Sequence, residues 1–335
     1  MSSRIAALDL SYRWLVLRRN APRLIVYGMV LVLAIFGASS SDRFLTDRNL
    51  VNVLRQSSFL GMVAIGQTLV ILTGGIDLSV GSLVKLSVLV AAVLMDGNPD
   101  NVAKAVLATI GLGMLVGIAH ALVITQLKVA PFIVTLGTFS ILRGAALLIS
   151  TGPIGKATRD FVRLYDRQLS SYPVVGSVPW ISILPIFFVF FFTLLLLMAT
   201  MLRRTPFGRH IYAVGGNEQV ARLSGIRVSW VKVGVYVLCS TLAAVAGLMW
   251  LSRSAVGDPV IGEGLELQSI TAVILGGTSL FGGRGGVWGT LGGVLLLSLT
   301  ANLLVVLQVN QWYQELIQGF IIISAVALYK QEGRQ

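Results

Sequence analysis

The sequence predicts an all-α, polytopic membrane protein with about ten transmembrane helices, and three observations support this prediction. Of the 335 residues, 55% are hydrophobic and only 12% are charged, and the mean hydropathy is +0.84. Apolar runs of about 20 residues recur along the chain, the length that a helix needs to cross a hydrocarbon core of roughly 30 Å. The apolar stretch 56–95 would measure roughly 60 Å as one helix, so it contains two spans.

Ten apolar ranges are therefore expected to cross the membrane within a single transmembrane domain, 1–335. They are 24–39, 57–75, 79–95, 103–125, 131–150, 181–202, 231–252, 267–281, 287–307 and 312–329. The first range follows basic residues and precedes small ones, so a cleaved signal peptide is the alternative interpretation there. The eighth is the weakest, because glycines follow Leu275. Two pairs of glycines four positions apart, Gly113 with Gly117 and Gly289 with Gly293, are typical of close helix packing in membranes.

The basic charge of the chain, +12, follows the predicted topology. With the N-terminus inside, the inside segments hold 15 Lys and Arg and the outside segments hold nine. Cytoplasmic loops of membrane proteins carry an excess of Lys and Arg. The distribution therefore predicts that both termini and the segment 203–230 are cytoplasmic and that the loop 151–180 lies outside. A nucleic-acid partner is not needed to explain the charge.

Cysteine and histidine are too few for a disulfide or a zinc site. Cys239 is the one cysteine, and the two histidines, His120 and His210, are 90 positions apart. No metal site is therefore expected from these residues. We interpret His120 and Cys239 as ordinary residues of predicted spans.

The polar stretch "TPFGRHIYAVGGNEQVARLSGI" (205–226) separates two apolar spans. Gly215 and its neighbour Gly216 are expected to break the helix that enters from Tyr212, since glycine is costly inside helices. Asn217 then suits the N-cap of a short helix, and Gly225 suits its C-terminal end. Glu218 and Arg222, four residues apart, form a favourable pair. Such a helix is suited to bind a partner, and the alternative is a solvated loop.

Three stretches resemble a known family. They are "GRHIYAVGGNEQVARLSGI" (208–226), "GQTLVILTGGIDLSVGS" (66–82) and "LQSITAVILGGTSLFGGRGGVWGTLGG" (267–293). They are similar to signatures of the ribose-type (ribose, xylose or autoinducer-like) sugar permeases of binding-protein-dependent ABC importers. The resemblance runs from about Leu45 to the C-terminus. It implies the type II-like ABC importer permease fold, and a transport subunit that is not an enzyme.

The resemblance also implies partners and a location. These are a second permease copy or homologue, a periplasmic sugar-binding protein, and an ATPase with two nucleotide-binding cassettes, all at the bacterial inner membrane. ATP and Mg would bind the ATPase, and this chain would bind no cofactor. The segment 203–230 would couple to the ATPase, and the loop 151–180 would be periplasmic. The coupling role carries over to Gly216, Asn217, Glu218, Arg222, Gly225 and Ile226. Glu263 and Glu266 match positions at which the family meets its binding protein.

Polar residues on or near the spans are candidates for the substrate path or gate. An ionisable residue such as Arg143 inside a membrane is a functional candidate by default, although a structural role is equally compatible with it. Asp77 also suits an N-cap of the third span, and uncharged amides also form bonds between helices. The resemblance places Gln268 where an Asp is frequent in ribose-type permeases, which leaves the sugar open. The candidates are Gln67, Asp77, Ser79, Ser82, Arg143, Gln268 and Asn302.

Other transport classes compete with this hypothesis. A secondary transporter coupled to ions usually places ionisable residues near the membrane midplane. Only Asp77, Lys85 and Arg143 qualify, and the first two are expected near a membrane face. A channel would need a filter or a ring of pore residues, and the sequence contains neither. A permease for an amino acid or a nucleoside remains an alternative within the superfamily.

Overall fold

The computed structural model describes residues 21, 23–171, 179–310, 312–314, 316, 317, 319, 320 and 323. Within these residues the fold is all-helical, and no strand longer than an isolated bridge is found. The helices are α1 (Arg23–Ser40), α2 (Asp47–Leu72), α3 (Val80–Met95), α4 (Val102–Gln126), α5 (Pro131–Ile149), α6 (Arg159–Asp166), α7 (Pro179–Ser182), α8 (Ile186–Arg204), α9 (Pro206–Gly216), α10 (Glu218–Leu223), α11 (Val228–Ser254), α12 (Leu265–Leu275) and α13 (Val287–Val306).

Six helices of the described chain are long and apolar enough to cross a membrane. They are Arg23–Ser40, Pro99–Gln126 (α4 with the preceding 3-10 turn), Pro131–Ile149, Ile186–Arg204, Val228–Ser254 and Val287–Val306. Two shorter apolar helices, α3 and α12, have 16 and 11 residues. A multi-pass membrane protein is therefore confirmed, and the count of about ten spans stays a prediction.

Most predicted ranges coincide with a helix, with two exceptions. The second range was expected over 57–75, but α2 begins at Asp47, ten residues earlier. Its polar first turns are therefore part of the helix. The eighth was expected over 267–281, but α12 ends at Leu275, where Gly276 and Gly277 begin a turn. The tenth range, 312–329, falls largely outside the described residues, as do 1–20 and 324–335 with the chain termini.

The core lies where α11 packs against α2, α3 and α4. Glycines allow the closest approaches, as the sequence predicted. A Cβ at Gly117 would lie 2.5 Å from the Cα of Val237 on α11. A Cβ at Gly289 or Gly293 would overlap the carbonyl of Gly276 or of Ala272, respectively. These positions hold two helix pairs at backbone contact, so α11 with α4 and α12 with α13 form tight units.

Two related turns meet at one end of the molecule. The first turn segment, 73–79, leads from α2 to α3, and the glycine segment, 276–286, leads from α12 to α13. Both follow an Ile-Leu pair and include paired glycines. The N–H of Gly283 donates to the carbonyl of Leu72 at 3.0 Å. The ends of α2 and of α13 are therefore linked directly through these turns.

The loop that contains α6 is attached to the opposite ends of α2 and α11. Arg55 on α2 forms an ion pair with Asp166 at 3.4 Å and lies 4.7 Å from the ring centre of Tyr165. Ser252 on α11 donates its hydroxyl to the carbonyl of Phe161 at 2.7 Å. This end therefore carries a structured cover, of which residues 172–178 lie outside the described set.

Candidate functional site

The segment formed by α9 and α10 contains the short capped helix that the sequence predicted. The N-cap Asn217 has an extended backbone, and its Oδ1 accepts a hydrogen bond from the N–H of Val220 at 3.0 Å. Gly225 follows α10 with φ of +82°, a conformation that glycine adopts without strain. The N–H of Ile226 closes the end by donating to Ala221 O at 3.1 Å. One expectation was wrong: the glycine pair does not break α9, which runs to Gly216 because both glycines keep helical backbones.

Glu218 connects the short helix to the span that follows it. Its carboxylate accepts from Arg222 at 3.0 Å, the pair predicted from the sequence, and also from Lys232 of α11 at 2.7 Å. The Lys232 side chain is only 14% exposed, whereas that of Arg222 is 67% exposed. Glu218 therefore holds α10 against α11, and Arg222 remains available at the surface.

Large apolar side chains are exposed on and around α10. Val220 and Leu223 on α10 are 56% and 83% exposed, Trp230 at the start of α11 is 69% exposed, and Phe281 in the glycine segment is 88% exposed. We call these four residues the apolar rim. Exposed aromatic and aliphatic groups of this size are typical of surfaces that bind another protein.

Gly215 is the tightest point between this segment and the rest of the chain. A Cβ there would overlap the carbonyl of Leu72 and lie 2.6 Å from the nitrogen of Gly283, whereas a Cβ at Gly216 would meet nothing within 4 Å. Spacing in the sequence did not distinguish the two glycines. The hydroxyl of Tyr212 also donates to the carbonyl of Gly285 at 3.1 Å, and burial raises the pKa of Tyr212, which keeps this donor protonated.

Asp77 is buried within the first turn segment, just before α3. Its Oδ1 accepts from the N–H of Ser79 at 2.9 Å and from the Ser79 hydroxyl at 2.7 Å. The amide of Gln67 pairs with the backbone of Asp77, donating to its carbonyl at 3.1 Å and accepting from its N–H at 3.2 Å. The expected N-cap role is wrong in detail, since the cap position is Ser79 and no side chain caps α3. The three candidates instead fix the first turn segment.

His120 of α4 is buried beside Asp77. Its Nδ1 lies 3.7 Å from Oδ2 of Asp77, and its ring meets that of Tyr236 edge-on with centroids 5.9 Å apart. Asp77 also lies beside Cys239 of α11. Sequence spacing held no signal for this cluster, which α4, α11 and the first turn segment bring together.

Asn302 is occupied by a structural pair. Its Nδ2 donates to Oδ1 of Asn49 at 2.8 Å, and Nδ2 of Asn49 donates back at 2.9 Å. Both amides are thereby satisfied between α13 and α2. Asn302 therefore forms a hydrogen bond between helices, which was the alternative to a role in the substrate path.

A cavity of about 180 Å³ lies among α2, α11, α12 and α13, and it receives Gln268. We call it the aromatic cavity. It is lined by Gln56, Phe59, Leu60, Trp250, Arg253, Leu265, Gln268, Thr271, Leu297, Ser298, Thr300 and Ala301. The rings of Trp250 and Phe59 stack at 4.8 Å, and the Arg253 guanidinium lies 4.8 Å from the Trp250 ring centre.

A second cavity, of about 230 Å³, contains the ionisable candidates and is called the charged cavity. It is lined by Gly81, Ser82, Lys85, Phe139, Arg143, Gly262, Glu263, Gly264 and Glu266. Lys85, buried on α3, donates to Glu263 at 2.9 Å. Arg143 is exposed and forms no ion pair with any residue that the structure describes. The buried cation of this cavity is therefore Lys85, whereas Arg143 is exposed.

Glu263 and Glu266, which the resemblance assigns to contact with the binding protein, also contact residues of this chain or are partly buried. Glu263 is bound to Lys85, although its side chain remains 57% exposed. Glu266 is half-buried, and its Oε2 is buried without a hydrogen-bond partner. Gly262 and Gly264, with φ of +96° and +76°, turn the loop back toward α3. Among the described residues, no group of three or more His, Cys, Asp or Glu could hold a metal ion.

All four helices that line the aromatic cavity have their other end at the α9–α10 segment or the glycine segment. In α2, Gln56 lines the cavity and Leu72 contacts Gly215. In α11, Trp250 lines the cavity and Lys232 binds Glu218. The separations, 16 and 18 residues, correspond to roughly 24–27 Å of helix. Helices α12 and α13 are joined by the glycine segment itself. These four helices therefore connect the α9–α10 segment and the glycine segment to the walls of the aromatic cavity.

Comparison with known proteins gives consistent matches over most of the chain. A family model described as "Branched-chain amino acid transport system / permease component" matches residues 49–326. The ribose import permease protein of Bacillus subtilis (strain 168) is 40% identical over 320 residues, covering 95% of this chain and 94% of that protein. The ribose import permease protein of Escherichia coli (strain K12) is 39% identical over 299 residues, covering 89% and 90%. The D-allose transport system permease protein of the same strain is 35% identical over 301 residues, covering 90% and 89%. No solved structure matches the chain.

Proposed function

This chain belongs to the family of branched-chain amino acid transport system / permease components, and from that premise we propose that it is the permease subunit of an ATP-driven sugar importer. A permease component moves a solute across a membrane and is not an enzyme. The import permeases compared above carry ribose or allose in their names. We therefore propose a pentose or a related small carbohydrate as the cargo, with the individual sugar left open.

The single observation that carries the proposal is the link between the α9–α10 segment and the aromatic cavity. A partner that pulls on the apolar rim and Arg222 would move Gly215, which has no free space against Leu72 and Gly283. Helices are stiff along their axes, so this movement would reach the cavity walls at the far ends of α2 and α11. The segment thereby meets the mechanical requirement for a coupling element, with Asn217, Glu218, Arg222, Gly225 and Ile226 shaping it. Gly216, around which a Cβ would have open space, only ends α9.

The energy source is proposed to lie in a partner chain. The one stretch that resembles a phosphate-binding loop, "GPIGKAT" (152–158), lacks the spacing of that motif. An ATPase with two nucleotide-binding cassettes would bind ATP and Mg and dock on the cytoplasmic segment 203–230. A second permease copy or homologue would complete the membrane unit.

The proposed arrangement in the membrane has about ten spans in the bacterial inner membrane and both termini in the cytoplasm. The loop 151–180 and the aromatic cavity then face the periplasm, where a sugar-binding protein delivers the cargo. Glu263 keeps an exposed fraction that is compatible with contact to that protein, whereas Glu266 is better suited to position the loop.

The proposal is tested by transport in proteoliposomes. The chain is reconstituted with its partner ATPase and with binding protein loaded with radiolabelled D-ribose or, in parallel, D-allose or L-leucine. We expect uptake of a sugar that requires ATP, the ATPase and the binding protein and that survives collapse of the proton gradient. Uptake by the chain alone under a proton gradient would support an ion-coupled transporter, and uptake of leucine without sugar would support an amino-acid permease. Either result would overturn the proposal.

A further inference from the structure

We infer that the aromatic cavity is the site where the permease itself holds one monosaccharide ring during transfer, with Trp250, Gln56 and Gln268 as its polar contacts. This inference rests on the proposed function and adds to it a substrate site in the membrane subunit. The cavity combines an aromatic wall with uncharged donors and acceptors, as the following observations show.

The size of the cavity fits a single sugar ring. Its volume of about 180 Å³ is slightly larger than a protein cavity of roughly 150 Å³ that holds one benzene ring. A monosaccharide ring with its hydroxyl groups is of this size class, and a disaccharide is about twice as large. The volume of the cavity therefore matches one ring.

The polar groups of the cavity are free to bind hydroxyl groups. The indole Nε1 of Trp250 is buried with no partner within the described ranges, and the amides of Gln56 and Gln268, both half-buried, form no hydrogen bond to any residue there. Buried polar groups in proteins are nearly always hydrogen-bonded. A ligand that carries several hydroxyl groups, each both donor and acceptor, would satisfy all three side chains.

The charge of the cavity separates a sugar from an amino acid. Arg253 is the one charged side chain among the lining residues, and no carboxylate lies among them. Its guanidinium lies over the Trp250 ring, which in turn stacks on Phe59. An amino acid would bring an ammonium group that finds no counter-ion here and is costly to bury. A neutral polyol has no such cost.

The sole cysteine of the chain makes a direct test possible. Cys239 is buried, so one introduced cysteine can be labelled with a maleimide in the complex with the ATPase. Thr300→Cys places the label in the cavity wall at a residue whose hydroxyl is bound to its own helix at Leu296 O. Ser170→Cys, at an exposed residue of the loop, is the matched control. We expect D-ribose to slow labelling of Thr300→Cys roughly fivefold or more at saturation, and not that of Ser170→Cys.

A second pair of variants ties the protection to the proposed contacts. Trp250→Phe removes the indole donor but keeps an aromatic ring, and Trp288→Phe makes the same change on α13 at a residue that does not line the cavity. We expect the D-ribose concentration that gives half protection of Thr300→Cys to rise roughly fivefold with Trp250→Phe and to stay unchanged with Trp288→Phe. Sucrose has two rings and should not slow the labelling of Thr300→Cys in either tryptophan background.

The outcomes distinguish the inference from the function on which it rests. If the wild-type complex takes up a sugar and that same sugar leaves the labelling rate of Thr300→Cys unchanged, the inference is overturned and the proposed function stays intact. Equal effects of Trp250→Phe and Trp288→Phe would overturn the assignment of Trp250. Absence of any sugar uptake by the assembled wild-type complex would instead reject the proposed function.

Discussion

At the scale of single residues, Gly215 and Gly216 differ in the space around them although they are neighbours in the sequence. A Cβ at Gly215 would overlap the carbonyl of Leu72, and one at Gly216 would meet nothing within 4 Å. We expect Gly215→Ala to separate the α9–α10 segment from α2 and to reduce stimulation of the partner ATPase by loaded binding protein at least tenfold, a loss of about 1.4 kcal/mol in coupling. Gly216→Ala is the matched control and should retain stimulation. Equal behaviour of the two variants would show that the contact does not transmit movement.

The ion pair between Glu218 and Lys232 gives a second prediction at this scale. Glu218→Lys places two cations together at a half-buried position, so α10 should lose its hold on α11. We expect weaker co-purification of the ATPase, with membrane insertion unchanged. The exchange Glu218→Lys with Lys232→Glu restores the pair, and a double-mutant cycle should recover about 0.5–1 kcal/mol. If the exchange recovers nothing while Arg222→Glu alone abolishes binding, Glu218 acts only at the partner surface.

Features that depend on neighbouring residues in the chain could be predicted from the sequence, and contacts across the fold could not. The cap at Asn217, the pair with Arg222 and the end at Gly225 follow from local geometry. The contact of His120 with Asp77 brings together α4 and the first turn segment, for which one sequence offers no spacing rule. The ion pair of Lys85 with Glu263 could not be predicted for the same reason, because the two residues are 178 positions apart.

At the scale of helices, α3 and the loop before α12 are joined by the buried Lys85 and the partly exposed Glu263. Removing Glu263 leaves a buried ammonium group without a partner, whereas removing Lys85 leaves a carboxylate that water reaches. We therefore expect Glu263→Ala to lower the free energy of unfolding by about 1–3 kcal/mol and Lys85→Met to lower it by about 1 kcal/mol or less. Thermal unfolding in detergent measures both. The opposite order would mean that Glu263 is stabilised by water and that Lys85 has another partner.

Helix boundaries show which signals act locally. Those of α4 and α5 were predicted to within a residue because apolar runs end at polar residues or begin at Pro131. The start of α2 was missed, since its first turns carry Asp47 and Arg48 and look like a loop. Neither cavity could be predicted, because each depends on how three or more helices meet.

At the scale of the whole molecule, the topology follows from the distribution of Lys and Arg. Reporter fusions after Arg204 and at the C-terminus should be cytoplasmic, and a fusion at Asp160 should be periplasmic. Six helices of the described chain are suited to span the membrane, and cysteine labelling in intact cells decides the remaining spans. A periplasmic signal at Arg204 would place the α9–α10 segment on the wrong side for an ATPase and contradict the proposed coupling.

The central claim is that nucleotide bound by the partner ATPase alters the aromatic cavity through the α9–α10 segment. The most direct measurement is the rate of maleimide labelling of Thr300→Cys in the assembled complex, without nucleotide and after trapping with ATP and vanadate. We predict that the two rates differ at least threefold, by roughly 0.7 kcal/mol, that Ser170→Cys shows no difference, and that Gly215→Ala abolishes the difference in Thr300→Cys. Equal labelling rates of Thr300→Cys in both states, in a complex that hydrolyses ATP, would contradict the claim.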